Sequence, residues 1–233
     1  MDLFLANVLD ARQAELQAAE VRHCTQVLRK GPGDQILVTE GKGVAYRARI
    51  VQTSRETVHL ELLETLPDFG EPGKETMLVF GLLKNRERME TLLEKAVELG
   101  VTRILPVQCH RSERGHWNAE RAEKLIMAAL KQSQRSRLPR LDPVMDFEKA
   151  LRLAQLMPVR LIADIAAEDP PTLTDLSAEG VSLVVGPEGD FSPGEIAFAE
   201  AAAFKRISLG QTRLRAETAA LHLLSIRKFA GGF

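Results

Sequence analysis

The sequence predicts an α/β protein with a mostly parallel sheet, preceded by a small β-barrel domain. Three short β-like runs with tight turns occupy residues 35–63. A stretch rich in proline and glycine, Pro67-Asp68-Phe69-Gly70-Glu71-Pro72-Gly73, then breaks the pattern. From Glu75 onward, buried-strand runs alternate with segments of helical periodicity, the rhythm of a parallel sheet with crossover helices. The expected division is therefore a barrel over residues 1–70 and an α/β domain over residues 74–233.

In the first domain, Ala14 to Leu28 has apolar spacing compatible with a helix, stopped by Arg29-Lys30-Gly31-Pro32-Gly33-Asp34. The β-like runs are Gln35 to Thr39, Ala45 to Gln52 and Thr57 to Leu63, with Gly41-Lys42-Gly43 as the first hairpin turn. In the second domain, strands are expected at Thr76 to Leu83, Arg103 to Val107, Val159 to Ala163, Ser182 to Val185 and Arg206 to Leu209. Arg86 to Leu99 repeats apolar residues at helical spacing and meets Gly100, a natural C-cap. Asn118 is an N-cap candidate for a helix to about Gln134, and Ser192-Pro193 opens another to about Ala203. A closing helix is expected over Arg215 to Phe229.

Composition narrows the class. Hydrophobic residues make up 45% and charged residues 27%, an ordinary globular balance. No apolar run is long enough for a membrane span, and Met1 to Leu5 has neither the basic leader nor the apolar stretch of a signal peptide. The two cysteines, Cys24 and Cys109, form no CxxC pattern, and the five histidines have no metal-ligand spacing; a pairing of His110 with His116 needs their loop to fold back. No metal site is expected, and the thiols read as free in a reducing compartment. The net charge of −1 advertises no polyanion, but basic residues cluster at Lys131, Arg135, Arg137 and Arg140, at Lys84, Arg86 and Arg88, and at Arg111 and Arg114. Taken alone, each cluster is more often a solvated face than a binding site.

Ligands of open α/β sheets bind beyond the carboxyl ends of the strands, so the loops there carry the search. One runs Gly186-Pro187-Glu188-Gly189-Asp190-Phe191-Ser192-Pro193, from a buried strand into a capped helix. Its glycines permit close backbone approach or positive φ, although a tight strand-to-helix turn would look similar. The other runs from Leu209-Gly210 through Leu214, Arg215 and Glu217 into the last helix. Glu217 falls in a first helical turn, where the helix dipole alone favours a carboxylate. Neither loop is a GxGxxG or GxxxxGK[ST] fingerprint, and no GxSxG is present, which argues against a dinucleotide-dependent dehydrogenase, a P-loop ATPase and a nucleophile-elbow hydrolase.

These residues resemble a known family. Gly186 to Pro193 resembles the GPEGGFSPxE signature of the ribosomal RNA small-subunit uridine-N3 methyltransferases, and Leu209 to Ala220 is similar to their LGxxILRxETAA. Lys95 to Val101 resembles QKATELGV, and Arg111-Ser112-Glu113-Arg114 resembles an ERS stretch. Val21-Arg22-His23 with Val27-Leu28-Arg29 resembles HHxxxVLR, so the likeness spans nearly the whole chain in order. The chain departs from the pattern in places: Asp190 stands for a glycine, only one His of the HH pair is present, Cys24 and Cys109 replace other residues, and Gln134-Arg135 replaces an SGR-like end.

The resemblance implies the SPOUT superfamily: a trefoil-knotted methyltransferase domain after a PUA-like β-barrel, a cytoplasmic homodimer, S-adenosylmethionine as cofactor, and 16S ribosomal RNA or the small subunit as partner. Ala163, Gly186, Pro187, Glu188, Gly189, Leu209, Gly210 and Leu214 are then the expected cofactor contacts. Arg215 and Glu217 are the expected catalytic residues, with Glu188 and Asp190 as further candidate bases, because uracil N3 must lose a proton before it attacks a methyl carbon. Arg22, His23, Arg29, Lys131, Arg135, Arg137 and Arg140 are the expected RNA contacts. The apolar residues Leu221, Leu223, Leu224, Ile226 and Phe229 are compatible with a dimer face or with a fully buried helix. Two other classes stay open at this point: a non-catalytic RNA-binding protein, which would lack affinity for the sulfonium cofactor, and a nucleotide-dependent α/β enzyme. A knotted methyltransferase acting on another RNA is also compatible.

Overall fold

The computed structural model describes residues 1–112 and 117–231. The chain divides into two compact units. The first comprises Met1–Glu71 with Met127–Leu138, and the second Pro72–Ile126 with Pro139–Phe233. The segment 127–138, expected from the sequence to belong to the α/β domain, packs in the barrel unit.

In the first unit, strands β1 (Leu3–Val8), β2 (Gln13–Leu16), β3 (Gln35–Thr39), β4 (Val44–Thr53) and β5 (Val58–Pro67) close a barrel in the order β1-β2-β5-β4-β3. Its core is built from alternate residues such as Phe4, Ile36, Val38, Ile50, Val58 and Leu60. Gly41 and Gly43, both at positive φ, turn β3 into β4. Register shifts between β4 and β5 supply the local bending that closure of so small a barrel needs. The N-terminal region differs from the sequence expectation. Instead of one helix over Ala14 to Leu28, there is strand β2, a short helix α1 (Ala18–Arg22) and a π-helical turn (His23–Val27). Gln13 to Leu16 alternates inward and outward side chains, and pairing with β1 and β5 outweighs the helical propensity of Ala, Glu and Leu.

The second unit is a seven-stranded parallel sheet. Strands β12 (Lys205–Ile207), β10 (Val159–Ala163), β11 (Gly180–Val185), β6 (Glu75–Gly81), β7 (Arg103–Gln108) and β8 (Arg140–Leu141) follow in that order, and β9 (Met145–Asp146) also pairs with β7. β11 is buried along its whole length and β6 at all but its first residue, which explains their unbroken apolar sequences. Helices α2 (Arg86–Glu98), α3 (Ala119–Gln132), α4 (Phe147–Ala154), α5 (Leu173–Ser177), α6 (Pro193–Ala201) and α7 (Ala216–Gly231) complete the chain. Asn85 caps α2 and Asn118 caps α3 through their side-chain oxygens, while Gly100 ends α2 at φ +91°. In the closing helix, Leu223 and Leu224 are buried against this unit, Leu221 and Ile226 are half-buried, and Phe229 is 73% exposed.

The register of the sheet positions the site. Ala163 pairs with Ile207, while Val184 pairs with Ile162 and Val79. The carboxyl ends of β10, β11 and β12 therefore lie side by side, and the loops leaving them emerge together.

Candidate active site

Three loops enclose a cavity of about 370 Å³. One follows β10 and contributes Ala163, Asp164 and Ile165; the second follows β11 and contributes Gly186, Pro187, Glu188 and Asp190. The third follows β12 and contributes Ser208, Leu209, Gly210, Thr212, Arg213, Leu214 and Arg215, continuing to Ala216 and Ala219 of α7. Apolar side chains provide much of the wall, while Asp164, Glu188 and Asp190 oppose Arg213 and Arg215 in charge.

The second loop is held rigidly. Ser192 and Glu195 form a capping box at the start of α6, and the other oxygen of Glu195 accepts the His110 backbone N–H at 2.9 Å. Arg111 donates to the Phe191 carbonyl at 3.1 Å. Phe191 packs on Phe147 with ring centroids 5.3 Å apart. A Cβ on Gly186 would lie 3.3 Å from the Phe191 ring, and one on Gly189 would lie 2.8 Å from the Arg111 carbonyl oxygen. Both glycines thus serve close packing of the loop. Asp190 sits at φ +62°, the conformation that suits glycine, and its carboxylate accepts the Phe191 N–H at 2.8 Å. The departure from the GPEGGF pattern therefore preserves the backbone shape. Beneath the loop, burial and the nearby Glu195 charge push the Cys109 thiol up to about 12, against a smaller opposing effect of its hydrogen bond with Ser112. Cys24 and Cys109 are both free and buried.

The third loop is open. Gly210 has φ +106° and nothing within 4 Å of a Cβ position, so a side chain there meets backbone strain and no neighbour.

Of the expected cofactor contacts, Ala163, Gly186, Pro187, Glu188, Leu209, Gly210 and Leu214 line this cavity, as does Arg215. Gly189 lies outside the lining and packs against Arg111. Glu217 also lies outside it: its side chain is 12% exposed and turned toward α2, where Arg88 Nε lies 3.6 Å from one carboxylate oxygen. The other oxygen is buried, with no hydrogen-bond partner among the described residues. Asp164, Ile165, Asp190, Ser208, Thr212, Arg213, Ala216 and Ala219 join the lining in addition. Adjacency to Ala163 and to the two loops is the signal that would have found them.

The expected RNA contacts separate into two groups. Arg22, His23, Arg29, Arg137 and Arg140 are exposed, although Arg137 pairs with Asp68 and Arg140 with Asp142. Arg135 is buried and paired with Glu71 at 2.8 Å, and Lys131 holds buried Glu20 at 2.6 Å. Arg135 therefore presents no charge to a phosphate, and the basic run from Lys131 to Arg140 is not a single charged face. Glu113, Arg114 and His116 lie outside the described residues. Among the described residues, no group of three or more His, Cys, Asp or Glu is placed to hold a metal, and no helix is long and apolar enough to cross a membrane.

Residues 71–228 match the model of an RNA methyltransferase domain. The chain belongs to the RNA methyltransferase family. Residues 16–63 match the PUA domain of RNA methyltransferases. Ribosomal RNA small subunit methyltransferase E of Mesomycoplasma hyopneumoniae is 31% identical over 77% of this chain and 79% of its own length. The enzyme of the same name from Aquifex aeolicus is 29% identical over 94% of this chain and 93% of its own length. Among solved structures, a ribosomal RNA small subunit methyltransferase E from Neisseria gonorrhoeae bound to S-adenosyl methionine is 30% identical and superposes with a TM-score of 0.83, covering 97% of this chain and 95% of that one. A putative methyltransferase from Legionella pneumophila, solved with its cofactor, is 27% identical with a TM-score of 0.83 and coverage of 98% and 96%. This RNA methyltransferase thus has the SPOUT architecture: a closed PUA-like barrel and a parallel α/β sheet.

Proposed function

We propose that the chain transfers a methyl group from S-adenosylmethionine to N3 of a uridine in 16S ribosomal RNA, and that it does so as a cytoplasmic homodimer with a trefoil-knotted catalytic unit. The observation that carries the reading is the cavity itself, built from the loops after three adjacent parallel strands. Its residues fit the cofactor. Apolar Val185, Leu209, Leu214 and Ala219 suit an adenosine moiety. Glu188 adds a carboxylate to balance a sulfonium or an ammonium, while Asp164 is already paired with Arg206 at 2.7 Å and Asp190 holds the Phe191 N–H.

When bound, the cofactor supplies a methyl carbon made electrophilic by its sulfonium. The chain's own residues supply the rest. Arg215 places a guanidinium at the cavity, where it stabilises the negative charge that spreads over uracil as N3 loses its proton. Glu188 and Asp190, two of the three carboxylates of the lining, are the proposed acceptors of that proton. The apolar wall excludes water from the reacting atoms. Because Watson–Crick pairing hides N3, the target uridine enters unpaired or extruded. Exposed Arg22, His23 and Arg29 of the barrel unit, with Arg137 and Arg140, are proposed to contact RNA phosphates. The dimer reading is supported by half-buried Leu221 and Ile226 and exposed Phe229 on the closing helix. A chain that remains monomeric at micromolar concentration in sedimentation contradicts that part.

Isothermal titration of the purified chain with S-adenosylmethionine tests the core of the proposal. Saturable binding of one cofactor per chain is expected. A folded chain with no detectable binding overturns the assignment.

A further inference from the structure

The third cavity loop has little to hold it. The Ser208 N–H donates to the Asp169 carbonyl at 2.8 Å, and the Gly210 N–H reaches the Ser208 hydroxyl at 3.3 Å. Gly210, Gln211, Thr212, Arg213 and Arg215 are exposed. The position of this loop therefore depends on its two ends. The upstream end is strand β12 in the sheet. The downstream end is the first turn of α7, where the Ala219 N–H closes on the Arg215 carbonyl at 2.8 Å.

Glu217 lies in that turn, two residues beyond Arg215. A carboxylate that served only the helix dipole would stay in water at the helix end. This one is turned against α2, with Arg88 Nε at 3.6 Å from one oxygen and with the other oxygen buried and without a hydrogen-bond partner among the described residues. Taking a carboxylate out of water for one such contact does not favour stability, so its value is geometric. The segment that carries Arg88 also touches the second cavity loop. A Cβ on Gly81 would lie 2.6 Å from Pro187, and the Lys84 N–H donates to Glu188 at 3.3 Å. Residues 81–88 thus gauge the two loops on either side of the cavity from one piece of chain.

We infer that Arg88 is a positioning residue for methyl transfer: through Glu217 it fixes the first turn of α7, and with it Arg215 and the cofactor loop. This rests on reading the cavity as the S-adenosylmethionine site. It assigns Glu217 a supporting place rather than the role of a base.

The test uses the full chain with Arg88→Ala, Arg88→Lys, Glu217→Gln and the double variant Arg88→Ala/Glu217→Gln. Three readouts are taken: cofactor Kd by titration, single-turnover methyl transfer to small-subunit RNA at saturating cofactor, and amide exchange across residues 208–216. Arg88→Ala and Glu217→Gln are each expected to weaken cofactor binding and slow transfer by about tenfold, and the double variant is expected to be no worse than either, as for two residues acting as one unit. Arg88→Lys should return both quantities to within about threefold of the parent. Exchange should quicken in residues 208–216 of the defective variants and not in the barrel. Variants that melt earlier but keep the parent's Kd, transfer rate and loop exchange when folded overturn the inference, as does a double variant whose defects simply add. A parent chain that binds no cofactor overturns the reading of the cavity instead.

Discussion

Arg135 and Glu71 form an ion pair at 2.8 Å in which the two side chains are 3% and 6% exposed. The pair ties the segment 127–138 to the end of the barrel unit, assisted by the Glu71 carboxylate accepting the Arg137 N–H and by the Ser136 N–H donating to Phe69. Charges this deeply placed are compensated by their protein partners and not by water. Removing one partner by Arg135→Ala or Glu71→Ala should cost about 3–5 kcal/mol in denaturant unfolding. Arg135 should contribute nothing to the salt dependence of RNA binding.

The exposed arginines should behave in the opposite way. Replacing Arg137 or Arg140 by Gln should weaken RNA binding in all sequence contexts and reduce the salt slope by up to about one unit for each phosphate no longer neutralised. Folding stability should change by less than about 1 kcal/mol, since their ion pairs are solvent-exposed on the arginine side. Filter binding across a salt series, run beside denaturant melts, separates the two classes of arginine. An Arg137 or Arg140 variant with unchanged affinity and slope removes that residue from the RNA surface.

Gly186→Val and Gly210→Val should each abolish cofactor binding while leaving the barrel unit folded. At Gly186 the added side chain meets the Phe191 ring, and at Gly210, a cavity-lining position, φ is +106°, which a β-branched residue does not tolerate. Titration with S-adenosylmethionine and a near-ultraviolet spectrum measure the two effects. Unchanged affinity in both variants would show these loops to be turns only.

Asp190→Gly should stabilise or leave unchanged the fold and keep the cofactor Kd within about threefold, because the position already has a left-handed backbone whose cost to a non-glycine residue is about 1 kcal/mol. The carboxylate's hydrogen bond to the Phe191 N–H offsets part of that gain. A loss of transfer rate with intact binding would identify Asp190 as the proton acceptor in preference to Glu188.

Much of this architecture was legible in the sequence, and the exceptions have physical causes. The spans Gln35 to Thr39 and Val159 to Ala163 are strands over those residues, because short apolar runs bounded by turn residues have few alternatives. The two loops holding Gly186, Pro187, Gly210 and Leu214 were legible because a buried strand running into glycine marks a ligand loop, while the choice of individual contacts came from the family resemblance. Residues 13–28 misled because Gln13 to Leu16 has helix-forming composition and becomes a strand only through its partners in β1 and β5. Arg135 misled because a run of basic residues has the same sequence whether its members face solvent or an acid such as Glu71. The link between Arg88 and Glu217 joins two helices distant in sequence, and only the folded chain brings them together.

Acid should test the outer strands of the sheet. Burial pushes the Asp142 carboxyl up, but hydrogen bonds and charge from Arg103, with Arg140 nearby, outweigh it and hold the group below the usual aspartate range. A depressed folded-state value contributes stability above the unfolded value, near pH 4, that is lost as pH falls through the folded value. The stability gap between the parent and Arg103→Met should therefore be widest above about pH 5 and shrink below about pH 4. A gap independent of pH in denaturant melts contradicts the assignment.

The methylated product tests the assigned reaction most directly. The purified chain is incubated with S-adenosylmethionine labelled in its methyl group and, in parallel, with free small-subunit ribosomal RNA and assembled small subunits from cells lacking the activity. The modified nucleoside is then identified and located by mass spectrometry. Label is expected in a single N3-methyluridine of the small-subunit RNA and should be lost in the Gly210→Val variant. Label on transfer RNA, on protein, or at any position other than uridine N3 would contradict it.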